Sequence, residues 1–309
     1  MKEIELKLMF PSSKHHAVLS TLKNTFGSPE YKAVLRNIYF DTPDLRLKAL
    51  RTGLRIRNAG SRWEQTLKAK GGSVAGLHSR NEWNWPINSE SLDLEKLQDI
   101  DALSGVNLAS LIPIFTTTFE RLTWNIAREG AEVELVLDVG KVTSGVEYTP
   151  LAEIEIEYKN GEFGLLFDVA EEIVEMAPCW VSDDTKASKG YGLLSLSNND
   201  PYAQLEHDDV LMAELIRKLA KLKGNSSSKL TGWEEYVGAI TAISVAASNM
   251  FEGIDFQRLG ELVNGETLAV VNWYKHSKNS DFNEFLETST AAGKIGVLVT
   301  RALANKSTG

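Results

Sequence analysis

Residues 3 to 7 read Glu3-Ile4-Glu5-Leu6-Lys7. Side chains alternate between the two faces of a strand. Glu3, Glu5 and Lys7 therefore share one face, and Ile4, Leu6 and Leu8 share the other. A second row of the same kind follows far downstream, Glu153-Ile154-Glu155-Ile156-Glu157. Three carboxylates in line repel unless cations sit among them. Two acidic strand faces are the raw material of a divalent-metal site built from oxygen ligands.

Between the two rows, strands are expected at Tyr31 to Phe40, Leu54 to Arg57, Trp63 to Lys70, His78 to Trp85, Phe115 to Ala127 and Glu132 to Asp138. The second acidic row belongs to a strand from Leu151 to Lys159. Gly140 to Gly145 reads as a turn, and residues 90 to 112 as helix and loop. Apolar spacing places short helices at His15 to Phe26 and Phe163 to Met176. The sum is about eight strands with charges recurring on one face. Either a solvated sheet face or a closed barrel with a polar lumen produces that pattern. The barrel accounts better for arginines on separate strands, because Arg is the better fork for anions.

From Pro201 the strand patterns stop. Helices are expected at Val210 to Leu222, Trp233 to Phe251, Phe256 to Asn264, Thr267 to His276 and Phe282 to Leu303, the last interrupted near Gly293 and Gly296. The reading is α+β: a β-tunnel over residues 1–198, then an all-α bundle over 203–309.

The 309 residues carry a net charge of -9, which argues against nucleic acid as a partner. Cys179 stands alone, so an intrachain disulfide is excluded and a cytoplasmic location is expected. No apolar run reaches membrane-spanning length, and no signal-peptide pattern opens the chain.

Collected on the inward face of a barrel, the cations are Lys7, Arg55, Arg57, Lys68, Arg80, Arg121 and Lys186. The carboxylates are Glu3, Glu5, Glu82, Glu134, Asp138, Glu153, Glu155 and Glu157. So many enclosed charges are costly unless they pair or find ligands. A polyanion bound with Mg²⁺ or Mn²⁺ would use both signs. No Gly-rich phosphate loop and no Ser-His-Asp pattern is present, and the histidines read as surface or structural residues.

These residues resemble the CYTH superfamily of triphosphate tunnel metalloenzymes. The opening row matches its Glu-x-Glu-x-Lys signature. In order follow Tyr39-Phe40-Asp41-Thr42-Pro43, Gly53-Leu54-Arg55-Ile56-Arg57, Thr66-Leu67-Lys68 and Arg80-x-Glu82. Then come Phe119-x-Arg121 with Trp124, Leu137-Asp138-x-Gly140, the Glu153 to Glu157 row and Lys186-Ala187-Ser188-Lys189-Gly190-Tyr191. Lys189 stands where the family usually has Arg, so its phosphate contact is expected to be weaker or displaced.

The resemblance implies an eight-stranded antiparallel tunnel that binds triphosphate with a divalent metal. Residues 201 to 309 resemble the first half of a CHAD helical domain, which points to an inorganic triphosphatase acting on triphosphate or short polyphosphate. This tail has slightly more carboxylates than cations and only His207 and His276, so polyphosphate binding by the tail itself is not expected. Other triphosphate chemistries of the fold (adenylate cyclase, thiamine or RNA triphosphatase) and a non-catalytic polyphosphate binder are the alternatives. On the favoured reading Lys7, Glu5 and Arg57 carry the chemistry. Lys7, Arg55, Arg57, Lys68, Arg80, Arg121, Lys186 and Lys189 hold substrate. Glu3, Glu5, Glu153, Glu155, Glu157, Asp138 and Glu134 are the candidate metal ligands. The tail is expected to be dispensable for chemistry, with its apolar stripes covered by a homodimer in preference to the tunnel wall.

Overall fold

The computed structural model describes residues 2–60, 62–194, 236–243, 254–276 and 285–308. In chain order its strands are β1 (Lys2–Met9), β2 (Tyr31–Asp41), β3 (Gly53–Asn58), β4 (Trp63–Lys68), β5 (Gly72–Val74), β6 (Leu77–Ile87), β7 (Ile112–Arg128), β8 (Ala131–Ser144), β9 (Glu147–Asn160) and β10 (Trp180–Val181). Eight of them run β1-β9-β8-β7-β2-β3-β4-β6, and β6 pairs back onto β1. The closing register runs from Lys2 opposite Asn81 to Leu6 opposite Leu77. All these pairs are antiparallel, and closure removes the sheet's edges.

Closure alone does not decide which face turns inward; the packing does. Leu6 and Leu8 of β1, Leu122 and Trp124 of β7, Leu135 and Leu137 of β8 and Ile154 and Ile156 of β9 point outward into one core. Helices α1 (His15–Phe26) and α3 (Gly164–Met176) cover that wall. On the other side Ile38, Phe40, Leu54, Ile56 and Leu67 point outward and are covered by Leu97, Leu103 and the 3₁₀ turns around them. With both outer walls apolar and covered, the charged faces have only the lumen left to them.

Three expectations need correction. Gly140 does not begin a turn: β8 continues to Ser144, and Gly140 lies opposite Phe119. A Cβ there would stand 2.2 Å from the Thr118 carbonyl oxygen, so glycine serves close strand approach. The helices expected at Phe256 to Asn264 and Thr267 to His276 are one, here α5 (Phe256–His276). Gly265 is simply carried inside it, at the modest cost glycine has in a helix. The last helix, α6 (Ala291–Thr308), begins later than expected and runs unbroken through Gly293 and Gly296. A Cβ on Gly293 would meet the Cys179 carbonyl oxygen at 2.3 Å, so this glycine lets the helix lie against the tunnel. Val210 to Leu222 and most of Trp233 to Phe251 lie outside the described residues, of which 236–243 are helical.

Ile295, Val299 and Leu303 of α6 join the same core as the outer wall of the tunnel. Arg301 Nη1 pairs with Asp168 and Glu171 of α3, each at 2.9 Å. For this helix the need that suggested a dimer is met within the chain. Among the described residues no helix is long and apolar enough to cross a membrane.

A short helix, α2 (Arg46–Ala49), follows β2, and α4 (Lys186–Leu194) packs against β7, β8 and β9. Gly190 of α4 rests on Phe115, where a Cβ would come within 2.2 Å of a ring carbon. Gly190→Ala is expected to cost about 1–3 kcal/mol by overpacking, read as a lowered midpoint in thermal or urea unfolding. An unchanged midpoint would show that α4 can lift off without penalty.

Candidate active site in the tunnel

The ladder between β8 and β9 sets Asp138 opposite Glu153, and β1 sets Lys7 opposite Glu155. Asp138 and Glu153 are wholly buried, and Lys7 is 1% exposed. Lys7 Nζ lies 2.9 Å from Glu155 Oε1 and 3.3 Å from Glu153 Oε1. Lys186 enters from α4, with Nζ 2.7 Å from Asp138 and 3.1 Å from Glu155, and also against Glu153. Arg121 grips Asp138 with two bonds, Nε at 2.7 Å and Nη2 at 2.6 Å, and reaches Glu155 at 2.9 Å. Three cations thus face three carboxylates. Burial raises the carboxyl pKa values of Asp138 and Glu155, but the cations outweigh it and both lie below the ordinary range. Burial likewise lowers the Lys7 ammonium, and Glu153 and Glu155 more than reverse that.

A second group lies where β1 meets β6. Arg80 donates to Glu3 Oε2 at 3.1 Å and to Glu5 Oε1 at 2.8 Å. Lys68 Nζ lies 2.6 Å from Glu3 and 2.8 Å from Glu82. Against burial, which raises it, Lys68 holds the Glu82 carboxyl down at about 2. His78 stands opposite Glu5 in the ladder, and burial holds its ring at about 4, so it is neutral near pH 7.

The third group is different. Among the described residues neither Arg55 nor Arg57 forms an ion pair. Arg57 Nε donates to Asn37 Oδ1 at 2.8 Å, and Arg55 stands opposite Tyr39 in the ladder between β2 and β3. The Arg55 Nε is buried without a partner. Burial, and then repulsion from Arg55 and Arg121, drags Arg57 down to about 9. Burial raises the Tyr39 phenol, but Arg55, Lys186 and Arg57 pull it below its usual value. Enclosed guanidiniums without a carboxylate partner among the described residues favour a negative charge beside them.

The expected site residues divide accordingly. Glu134 and Glu157 pair with Lys159, at 3.3 and 2.9 Å, apart from the three inner carboxylates. Lys189 is partly buried on α4 and forms no ion pair among the described residues. Asn37 and Tyr39 lie beside Arg57 and Arg55, and the sequence reading does not single them out as functional. Their signal was the period of two along β2, which puts both on the lumen face. Asp41 was likewise missed as a positioning group. It accepts from the backbone of Leu47 at 2.7 Å and Lys48 at 2.9 Å, and from the Tyr191 hydroxyl at 2.7 Å. That last bond ties α4, and so Lys186, to the turn after β2.

Three of these carboxylates offer a metal its ligands. Asp138, Glu153 and Glu155 each bring an oxygen within 4.8 Å of the others. Glu153 Oε2 is buried with no hydrogen-bond partner. A hard-oxygen set of this kind fits a small divalent cation.

Guanidiniums, ammoniums and carboxylates thus converge in the lumen of a closed antiparallel β-tunnel. The chain belongs to the CYTH family, whose domain matches residues 1–191. An inorganic triphosphatase of Haemophilus influenzae is 35% identical over 193 residues, which are 62% of this chain and 54% of that protein. The chain thus matches about half the length of this relative. Among solved structures, the Hippeastrum protein HpAC1, reported to have a dominant triphosphatase activity, is 20% identical, with a TM-score of 0.44 over 62% of this chain and 95% of that one. A Pyrococcus horikoshii protein is 13% identical, with a TM-score of 0.40 over 60% of this chain and 98% of its own.

Proposed function

We propose that the tunnel hydrolyses inorganic triphosphate to pyrophosphate and phosphate in a reaction that requires Mg²⁺ or Mn²⁺. The observation that carries this is the Arg55 and Arg57 pair, two cations that form no ion pair among the described residues, beside lumen cations that each pair with carboxylates. Asp138, Glu153 and Glu155 would hold the metal. When bound, it supplies neutralisation of the phosphoryl oxygens as charge shifts toward the leaving group. The chain's own groups do the rest. Arg55 and Arg57 grip phosphate oxygens, and Asn37 keeps the Arg57 fork in place. Arg121, Lys7 and Lys186 fix the carboxylates and add positive charge along the substrate. Water attacks the terminal phosphorus, the bridging P–O bond breaks, and its electron pair leaves with pyrophosphate. The kinship to an inorganic triphosphatase supports the choice of substrate.

Phosphate release should be measured with triphosphate, ATP and thiamine triphosphate, each with Mg²⁺, with Mn²⁺ and with chelator. Triphosphate is expected to turn over at least tenfold faster than the other two, and chelator to stop the reaction. A preference for ATP or thiamine triphosphate would replace the substrate, and turnover in chelator would remove the metal.

A further inference from the structure

Lys7 stands where β1 changes neighbours. Up to Leu6 the strand pairs with β6, and from Leu8 it pairs with β10. Two backbone bonds bridge the change: the Lys7 amide donates to the Gly76 carbonyl at 3.0 Å, and the Ser182 amide donates to the Lys7 carbonyl at 3.1 Å. The backbone under this lumen lysine is therefore held by a turn, Ala75-Gly76, and by the end of β10.

That turn does not hold itself without strain. Ala75 has φ 49 and Gly76 φ 81, and an alanine in the left-handed region is uncommon. Inside the tunnel domain, Asp183 braces the turn by accepting from the Gly76 amide at 2.8 Å and from Ser73 Oγ at 2.5 Å. The Ala75 carbonyl is braced from outside that domain. Thr300 of α6, wholly buried, places its hydroxyl 2.8 Å from that oxygen, 225 residues away in sequence. The same hydroxyl lies 2.8 Å from Gly296 in its own helix, so its single proton is shared between the two acceptors. A buried carbonyl needs a donor, and at Ala75 Thr300 supplies one. The approach is made possible by Gly296, whose missing Cβ would stand 3.0 Å from Val181 of β10.

We propose that Thr300 is a positioning residue for Lys7, so that α6 completes the site from outside the tunnel. The chain of contact runs from the Thr300 hydroxyl to Ala75, through the turn to Gly76, and on to the Lys7 amide. Loss of the first bond lets the turn relax, and the ammonium between Glu153 and Glu155 shifts with its backbone. This rests on the triphosphatase reading for its catalytic consequence, but its structural part does not.

The test uses the full chain with Thr300→Val, which keeps the shape and removes the hydroxyl, and Thr300→Ser, which keeps the hydroxyl. Hydrogen exchange at the Lys7 amide is compared with exchange at Leu137 of β8, two strands away across β9, and triphosphate turnover is measured with Mg²⁺. Thr300→Val is expected to speed exchange at Lys7 about tenfold while leaving Leu137 unchanged, and to lower turnover about 10- to 100-fold. Thr300→Ser should keep both near wild type. Unchanged exchange at Lys7 in the valine variant overturns the proposal. So does equal acceleration at Leu137, which would make the threonine a general stabiliser, and so does a serine variant that behaves like valine. If the wild-type protein fails to cleave triphosphate while the exchange pattern holds, the triphosphatase reading falls and the positioning of Lys7 stands.

Discussion

Glu153→Gln is expected to abolish metal-dependent turnover and to cost about 3–5 kcal/mol of stability, the range for breaking a buried charge network by removing one member. Glu153 is wholly buried and shares Lys7 and Lys186 with its neighbours. The amide keeps the shape but removes one of three negative charges facing three cations. A hard metal loses an anionic ligand at the same stroke. Urea unfolding at pH 7 reads the first effect, and phosphate release with Mg²⁺ or Mn²⁺ the second. A variant as stable and as active as wild type would remove Glu153 from the site. The same network sets the acid limit. Asp138 and Glu155 titrate in the folded protein below their ordinary values of 3.8 and 4.5. Their contribution is complete above those values and drains away as the pH falls through the folded ones. The wild-type urea midpoint should therefore drop below about pH 4.5, and a flat midpoint down to pH 3 would contradict the pairing.

Arg57→Ala should do the opposite to stability. The guanidinium is held down at about 9, which means folding disfavours its charged form. Between that value and the ordinary 12.5 the unfolded chain binds more protons, so this residue makes stability rise with pH across the window. Removing it should raise the unfolding midpoint at pH 7 and flatten that rise. Binding should suffer in exchange: a hydrogen bond to a charged group contributes about 1.5–3 kcal/mol, or about 10- to 150-fold in triphosphate affinity. Titration calorimetry with triphosphate measures the loss, and wild-type affinity should itself fall above about pH 9. Unchanged affinity with a lowered midpoint would make Arg57 a structural cation and leave the anion site to Arg55.

Alternation along each strand fixes which of its faces carries charge. Glu3, Glu5 and Lys7 must share a face because the strand period is two, and Leu6 and Leu8 must take the other. The sequence also ordered the eight strands along the chain and put Arg55, Lys68, Arg80 and Arg121 on separate ones. Partnership was not legible there. That Arg121 would grip Asp138, that Lys186 would touch three carboxylates from a helix, and that Arg55 and Arg57 would form no ion pair among the described residues, follows from closure of β6 onto β1 and from the seat of α4. Such contacts join residues up to 150 positions apart, as in the bond from Tyr191 to Asp41, and no local pattern encodes them. The glycines show the same divide. Gly140, Gly293 and Gly296 look like breaks in a sequence, because glycine weakens strands and helices alike. In the folded chain Gly140 and Gly293 sit inside a strand and a helix, against the carbonyl oxygens of Thr118 and Cys179, and Gly296 sits inside α6 against Val181. Whether a glycine ends an element or lets it come close depends on what packs against it, and only the tertiary structure supplies that neighbour.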